Sequence, residues 1–111
     1  IAAAVLRAAR RFVPRCVAED LGTLGRGLIN DTYLITGTMT EPDRVLQRLN
    51  TRVFSEPRQV MENIARISAL LESKWCARGV VDPERHYLTL LPAIDGGLWW
   101  IDPGGAWWRC F

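Results

Sequence analysis

Lysine is nearly missing from this chain. Lys74 stands alone beside thirteen arginines in 111 residues. That removes lysine from most functional roles and reads as a GC-rich coding bias. Histidine is equally scarce: His86 is the only one. Cys16, Cys76 and Cys110 lie far apart with no C-x-x-C pair, so no zinc site is expected. Three free, mostly buried thiols in a cytosolic, cytoplasmic protein is the expectation. No apolar run reaches the roughly 18 residues of a membrane span. The net charge of +2 is too small to argue for nucleic acid or a membrane surface. Repeats, low-complexity tracts and interdomain linkers are absent as well.

What remains is the composition of a globular domain, 49% hydrophobic and 23% charged. A chain of this length makes about one domain with a modest core. Residues 1–13 carry Arg7, Arg10 and Arg11 without an acid, a pattern that also fits a transit peptide. Ile1, Val5, Ala8 and Phe12 fall on one helical face, however, which predicts a short amphipathic helix covering the domain. Pro14 ends it.

Strands are predicted over 17–24, 32–35 and 44–49. A glycine bend at Gly25-Arg26-Gly27 separates the first two, and a turn with Gly37, Pro42 and Asp43 separates the others. A helix follows, with Ser55 as N-cap and Pro57 in its first turn. Val60, Ile64, Ile67 and Leu71 form a stripe expected to face the sheet. Further strands are predicted at 87–91, 98–101 and 106–111, joined by Asp95-Gly96-Gly97 and Asp102-Pro103-Gly104-Gly105. The fold class is therefore α+β, a single domain over 1–111. It is an antiparallel sheet of five or six strands, with one main helix packed on it and a short N-terminal helix.

Two places have the residue types for binding chemistry. In Gly25-Arg26-Gly27-Leu28-Ile29-Asn30, small residues let backbone N–H groups approach a phosphate, although an ordinary hairpin turn has the same appearance. A strand follows, not a helix, which argues against a dinucleotide fingerprint. On the third strand, alternation puts Val45, Gln47 and Leu49 on one face and Leu46 and Arg48 on the other. Arg48 has the charge for phosphate; Gln47, beside the smaller Val45, has room for a planar ring. Trp99, Trp100, Trp107 and Trp108 with Arg109 could stack on single-stranded nucleic acid. Adjacent tryptophans on a strand face opposite sides, so one of each pair is expected in the core. Nucleic-acid binding is not expected.

The ordered motifs Gly27-Leu28-Ile29-Asn30-Asp31-Thr32-Tyr33, Val45-Leu46-Gln47-Arg48-Leu49-Asn50, Val53-Phe54, Pro57 and Val60-Met61-Glu62-Asn63-Ile64 resemble the start of the N-acetylhexosamine 1-kinases. Those belong to the aminoglycoside phosphotransferase-like group, which has a protein-kinase-like fold. Asp102-Pro103-Gly104-Gly105-Ala106-Trp107-Trp108-Arg109 is similar to the family's hairpin entering the hinge between lobes. The resemblance implies transfer of the γ-phosphoryl of ATP, with magnesium, to a hydroxyl of a sugar such as an N-acetylhexosamine. It assigns the phosphate-covering turn to Gly25, Gly27, Asn30 and Thr32. Asn30 replaces the third glycine of the protein-kinase pattern, and Gln47 or Arg48 stands where that pattern has lysine. On the helix, Glu62 and Asn63 are both candidates for the nucleotide site; Glu62 lies opposite the apolar stripe and Asn63 beside it, so Asn63 is preferred as the inward polar group, with a solvated Glu62 as the alternative.

The catalytic loop H-x-D-x-x-x-x-N has no counterpart here, since His86 leads into Tyr87-Leu88. No catalytic residue and no metal ligand is expected within the chain, and Asp82, Asp95 and Asp102 read as turn formers. A start at Ile1 and a stop at Phe111, inside a predicted strand, point to the nucleotide-side lobe alone. That lobe is expected to be inactive in isolation and to self-associate through the face of its last strand. The alternative is a non-catalytic remnant or interaction domain with at most weak nucleotide affinity.

Overall fold

The computed structural model describes residues 2–26, 30–52, 55–79 and 89–111. Helix α1, Ala3–Phe12, is rich in alanine, the strongest helix former. Val5, Ala8, Ala9 and Phe12 are buried, and the two alanines let the helix approach the sheet closely. It stops before Pro14, as expected. Arg10 Nε then donates to the carbonyl of Cys16 (2.9 Å) and pins the exit of the chain. Ile1, expected on the same helical face, lies outside the described residues.

Strands β1 (Leu21–Arg26), β2 (Asn30–Ile35) and β3 (Arg44–Leu49) form an antiparallel meander. The first predicted strand is corrected at both ends. Residues Ala18–Asp20 form a 3-10 turn, whose Asp20 carboxylate accepts from Val17 N–H (3.0 Å). Gly25 and Arg26, expected in a bend, continue β1. The register shifts between Thr23 and Gly25, which leaves Leu24 as an exposed bulge. The β2–β3 connection requires glycine at position 37. A Cβ there would meet the carbonyl of Glu41 and come within 2.5 Å of the Pro42 carbonyl carbon, while Gly37 N–H donates to Asp43 Oδ1 (2.7 Å).

Helix α2, Pro57–Ala77, follows β3. Its N-cap is Glu56, with Pro57 at the first helical position, where a missing N–H costs little. Among the described residues, strands β4 (Trp100–Ile101) and β5 (Trp107–Cys110) complete one five-stranded sheet in the order β1-β2-β3-β5-β4, with every pairing antiparallel. The strand expected at 98–101 shrinks to two residues. Of the segment 87–91, residues 87–88 lie outside the described residues. Thr89–Leu91 joins no ladder, although Leu91 N–H donates to Cys110 O (2.8 Å). His86, Asp82 and Pro83 also lie outside the described residues.

Alternation divides the core in two. On one face Ile35, Leu46, Trp108 and Cys110 meet α1 and Cys16. On the other, Leu49 meets Met61 and Leu90, flanked by Val60, Ile64, Ala65, Trp99, Trp107 and Phe111. Among the described residues, the α2 side chains that join this cluster come from its first turns. Met61 is its buried residue, whereas Ile67, expected to face the sheet, is 56% exposed. The face expected to be bare at the chain's end is largely covered: Trp107 and Trp99 stack at 6.1 Å, with the Arg58 guanidinium over both rings. Among the described residues no helix is long and apolar enough to cross a membrane.

Candidate functional site

The register places one residue from each of β2, β3 and β5 in line. Thr32 pairs with Gln47, and Gln47 with Arg109. All three point to the α2 side, because their neighbours Leu46 and Trp108 point to the α1 side. Gln47 Nε2 donates to Thr32 Oγ1 (3.3 Å), and its Oε1 accepts from Arg109 Nε (3.0 Å). Arg109 reaches on toward Met61 Sδ on α2 (4.0 Å) and lies over the ring of Phe111 (5.2 Å). Burial disfavours its charged form and lowers its pKa. No ion pair to Arg109 occurs among the described residues.

One position along, the opposite face carries a second row. Asp31 pairs with Arg48, and Arg48 with Trp108. The Arg48 guanidinium is hydrogen-bonded to the Asp31 carboxylate and lies 5.7 Å from the centre of the Trp108 ring. The Asp102 carboxylate accepts from Trp108 Nε1 (3.0 Å) and from Ala106 N–H (2.9 Å). Burial pushes the Asp102 carboxyl up. The hydrogen bonds from Trp108, Ala106 and Gly104, with the charge of Arg48, together outweigh that and hold it below its ordinary value. Asp102 therefore both shapes its turn and anchors the largest core side chain.

A polar cleft of about 440 Å³ opens at the end of β2 and β3, lined by Asn30, Asp31, Arg48, Asn50, Arg52 and the glycines of the β4–β5 turn among others. The Oδ1 of Asn30 is enclosed and has no hydrogen-bond partner among the described residues. These features make the strand ends polar, while the central row stays between sheet and helix.

The expected site residues are thus divided. Thr32 and Gln47 share a row on the α2 side. Arg48 lies on the opposite face, as alternation predicts, and its charge is compensated by Asp31. Asn30 and Arg48 line the cleft. Gly25 sits in β1, with no atom within 4 Å of where a Cβ would be, so nothing crowds its backbone. Gly27 lies outside the described residues. The helix expectation is corrected for Asn63, which is exposed and accepts from Gln59 one turn earlier (3.0 Å). Glu62, the other helix candidate, is exposed as well. The buried helix residue here is Met61, which joins the core with Val60, Ile64 and Ala65.

Arg109 joins this row although no motif in the sequence marks it. The signal was present in the alternation of Trp107, Arg109 and Phe111 on one face against Trp108 and Cys110 on the other. The residue opposite Arg109, 62 positions away, was not readable from either strand alone. Among the described residues no group of three His, Cys, Asp or Glu side chains is placed to hold a metal ion. No known family model matches the chain.

Proposed function

We propose that this chain is the nucleotide-binding lobe of an ATP-dependent phosphotransferase acting on a small-molecule hydroxyl, with a sugar such as an N-acetylhexosamine as acceptor. The observation that carries the reading is the hydrogen-bonded row Thr32–Gln47–Arg109 on the α2 side of a sheet ordered β1-β2-β3-β5-β4. A helix inserted between β3 and the returning strands, with donor groups on the helix side, agrees with the resemblance in the motifs around Asn30, Gln47 and Met61. The donor set suits a polyphosphate: a hydroxyl, an amide and a guanidinium, none of them acidic. ATP, bound with magnesium, would supply the phosphoryl group. The ligands for that metal and the residue orienting the acceptor would come from outside these 111 residues, since no H-x-D-x-x-x-x-N loop occurs in them.

Isothermal titration of the chain with ATP and magnesium tests the reading. The expected result is saturable binding, with adenosine binding more weakly than ATP. No heat of binding up to millimolar ATP contradicts it. Phosphoryl transfer to N-acetylhexosamines by this chain alone is expected to stay at background, and turnover above background contradicts the assignment of the chemistry to a second lobe.

An interaction module is the second reading. It is favoured by Ile67 and Leu70, each 56% exposed on the outer turns of α2. Concentration-dependent sedimentation that is abolished by Ile67→Glu, together with no ATP binding, is the result that selects it.

A further inference from the structure

We propose that Arg109 is the residue that holds the polyphosphate of the bound nucleotide, with Gln47 as its positioning residue. The inference rests on the nucleotide-binding reading above and names the group within it that meets the phosphates.

Its first support is a contrast with three of the other half-buried arginines, a fourth, Arg44 on β3, also having no carboxylate partner among the described residues. Arg11, Arg15 and Arg48 each have a carboxylate partner, in Asp95, in Asp20 and Glu41, and in Asp31. Arg109 is half-buried between β5 and α2, and among the described residues it has no carboxylate partner. A guanidinium has five N–H donors. Here Nε donates to Gln47 Oε1, and Nη1 meets only the Met61 sulfur at 4.0 Å, a weak acceptor. The donors of both terminal nitrogens therefore lack a strong acceptor among the described residues. Even partial burial of a cation without an anion is unfavourable. An anionic ligand resolves that cost, and the planar fork of arginine matches two oxygens of a phosphate.

The second support is the way the row fixes the fork. The Gln47 carboxamide accepts from Arg109 Nε with its oxygen and donates to Thr32 with its nitrogen, so its orientation is set at both ends. The Phe111 ring lies against the guanidinium at 5.2 Å. With Nε committed to Gln47, the edge bearing the two terminal nitrogens is left for the ligand. Arg48 does not offer the same arrangement, because its guanidinium is hydrogen-bonded to Asp31 on the opposite face.

The test measures affinities for ATP with magnesium, for inorganic tripolyphosphate and for adenosine, in the parent chain and in Arg109→Gln. The expected result is a loss of about 10- to 100-fold for ATP and tripolyphosphate, the scale of a charge-assisted contact, with adenosine affinity unchanged. A merely structural role would weaken all three together. Equal ATP affinity in parent and variant overturns the inference and leaves the nucleotide reading standing. Tripolyphosphate binding that depends on Arg109, without preference for ATP, supports the anion site and overturns the nucleotide reading. Binding of neither ligand by the parent chain overturns both. Should Arg109→Gln fail to fold, Arg109→Lys carries the test, because it keeps a charge but loses the fork; a loss of about tenfold is expected. Gln47→Leu, alone and combined with Arg109→Gln, tests positioning. The two losses should be non-additive; additive losses contradict the positioning role.

Discussion

On the α1 side of the sheet Arg48 lies between Asp31 and Trp108; on the α2 side Arg109 lies between Gln47 and Met61. The two rows occupy neighbouring register positions on the same three strands, and they treat their arginine differently. The α1-side row is balanced in charge. Asp31 meets Arg48, Arg48 covers the Trp108 ring, and Asp102 takes the indole N–H. The α2-side row is made of an alcohol, an amide and a cation. The first arrangement is what a fold needs for stability. The second keeps a charge where stability alone would favour an apolar side chain, and that is where binding chemistry is expected.

The largest effect should come from breaking the balanced row at Trp108. Trp108 is fully buried between α1 and the sheet. Trp108→Ala should lower unfolding free energy by about 3–5 kcal/mol in urea titrations. A cost below 1 kcal/mol would mean that the α1 face is not the principal core.

Asp102→Asn sharpens the same row through pH. The folded-state pKa of Asp102 is held below its ordinary value of 3.8. A carboxyl with a depressed pKa contributes its stability above the unfolded value and loses it as pH falls through the lower, folded value. The parent should therefore exceed Asp102→Asn in stability above about pH 4, by about 1 kcal/mol, the scale of a hydrogen bond to a buried donor. That advantage should shrink on further acidification. A difference that is constant from pH 7 to pH 2 would contradict the assigned ionisation.

The smallest expected effect tells the two arginines apart. Arg48→Met should cost about 0.5 kcal/mol, since the Arg48 side chain is 42% exposed and an exposed ion pair is worth little. Arg109→Met should leave stability unchanged or raise it by about 1 kcal/mol, because it replaces a half-buried charge that has no carboxylate partner among the described residues with an apolar chain. Equal losses in both, read from the same denaturation series, would remove the distinction between the rows.

Much of this arrangement was legible in the sequence where the information is local. The bounds of β3 follow from its alternation, and Pro14 and Pro57 mark where α1 stops and α2 starts. The division of Gln47 and Arg48 between faces needs nothing beyond the period of a strand. What was not legible depends on distant partners. The stripe Val60–Ile64–Ile67–Leu71 is genuine on the helix, but among the described residues α2 joins the core through Met61, Val60, Ile64 and Ala65 in its first turns. Ile67 is consequently exposed. β1 extends through Gly25 because the bulge at Leu24 lets it continue pairing with β2, so composition misplaced the bend. Arg109 gained its meaning only from the β3–β5 register, which brings it to Gln47. The aromatic surface expected at the end of β5 is instead held by Trp99 and Arg58.

The most direct measurement is a titration of the 15N-labelled chain with ATP and magnesium, following the side-chain Nε–H resonances of the arginines and the Gln47 amide. The Arg109 Nε–H and the Gln47 side-chain signals should shift together and saturate with one affinity, while the Arg48 Nε–H stays in place. A saturating shift at Arg48, with Arg109 and Gln47 unmoved, would contradict the account and move the anion to the cleft at the strand ends.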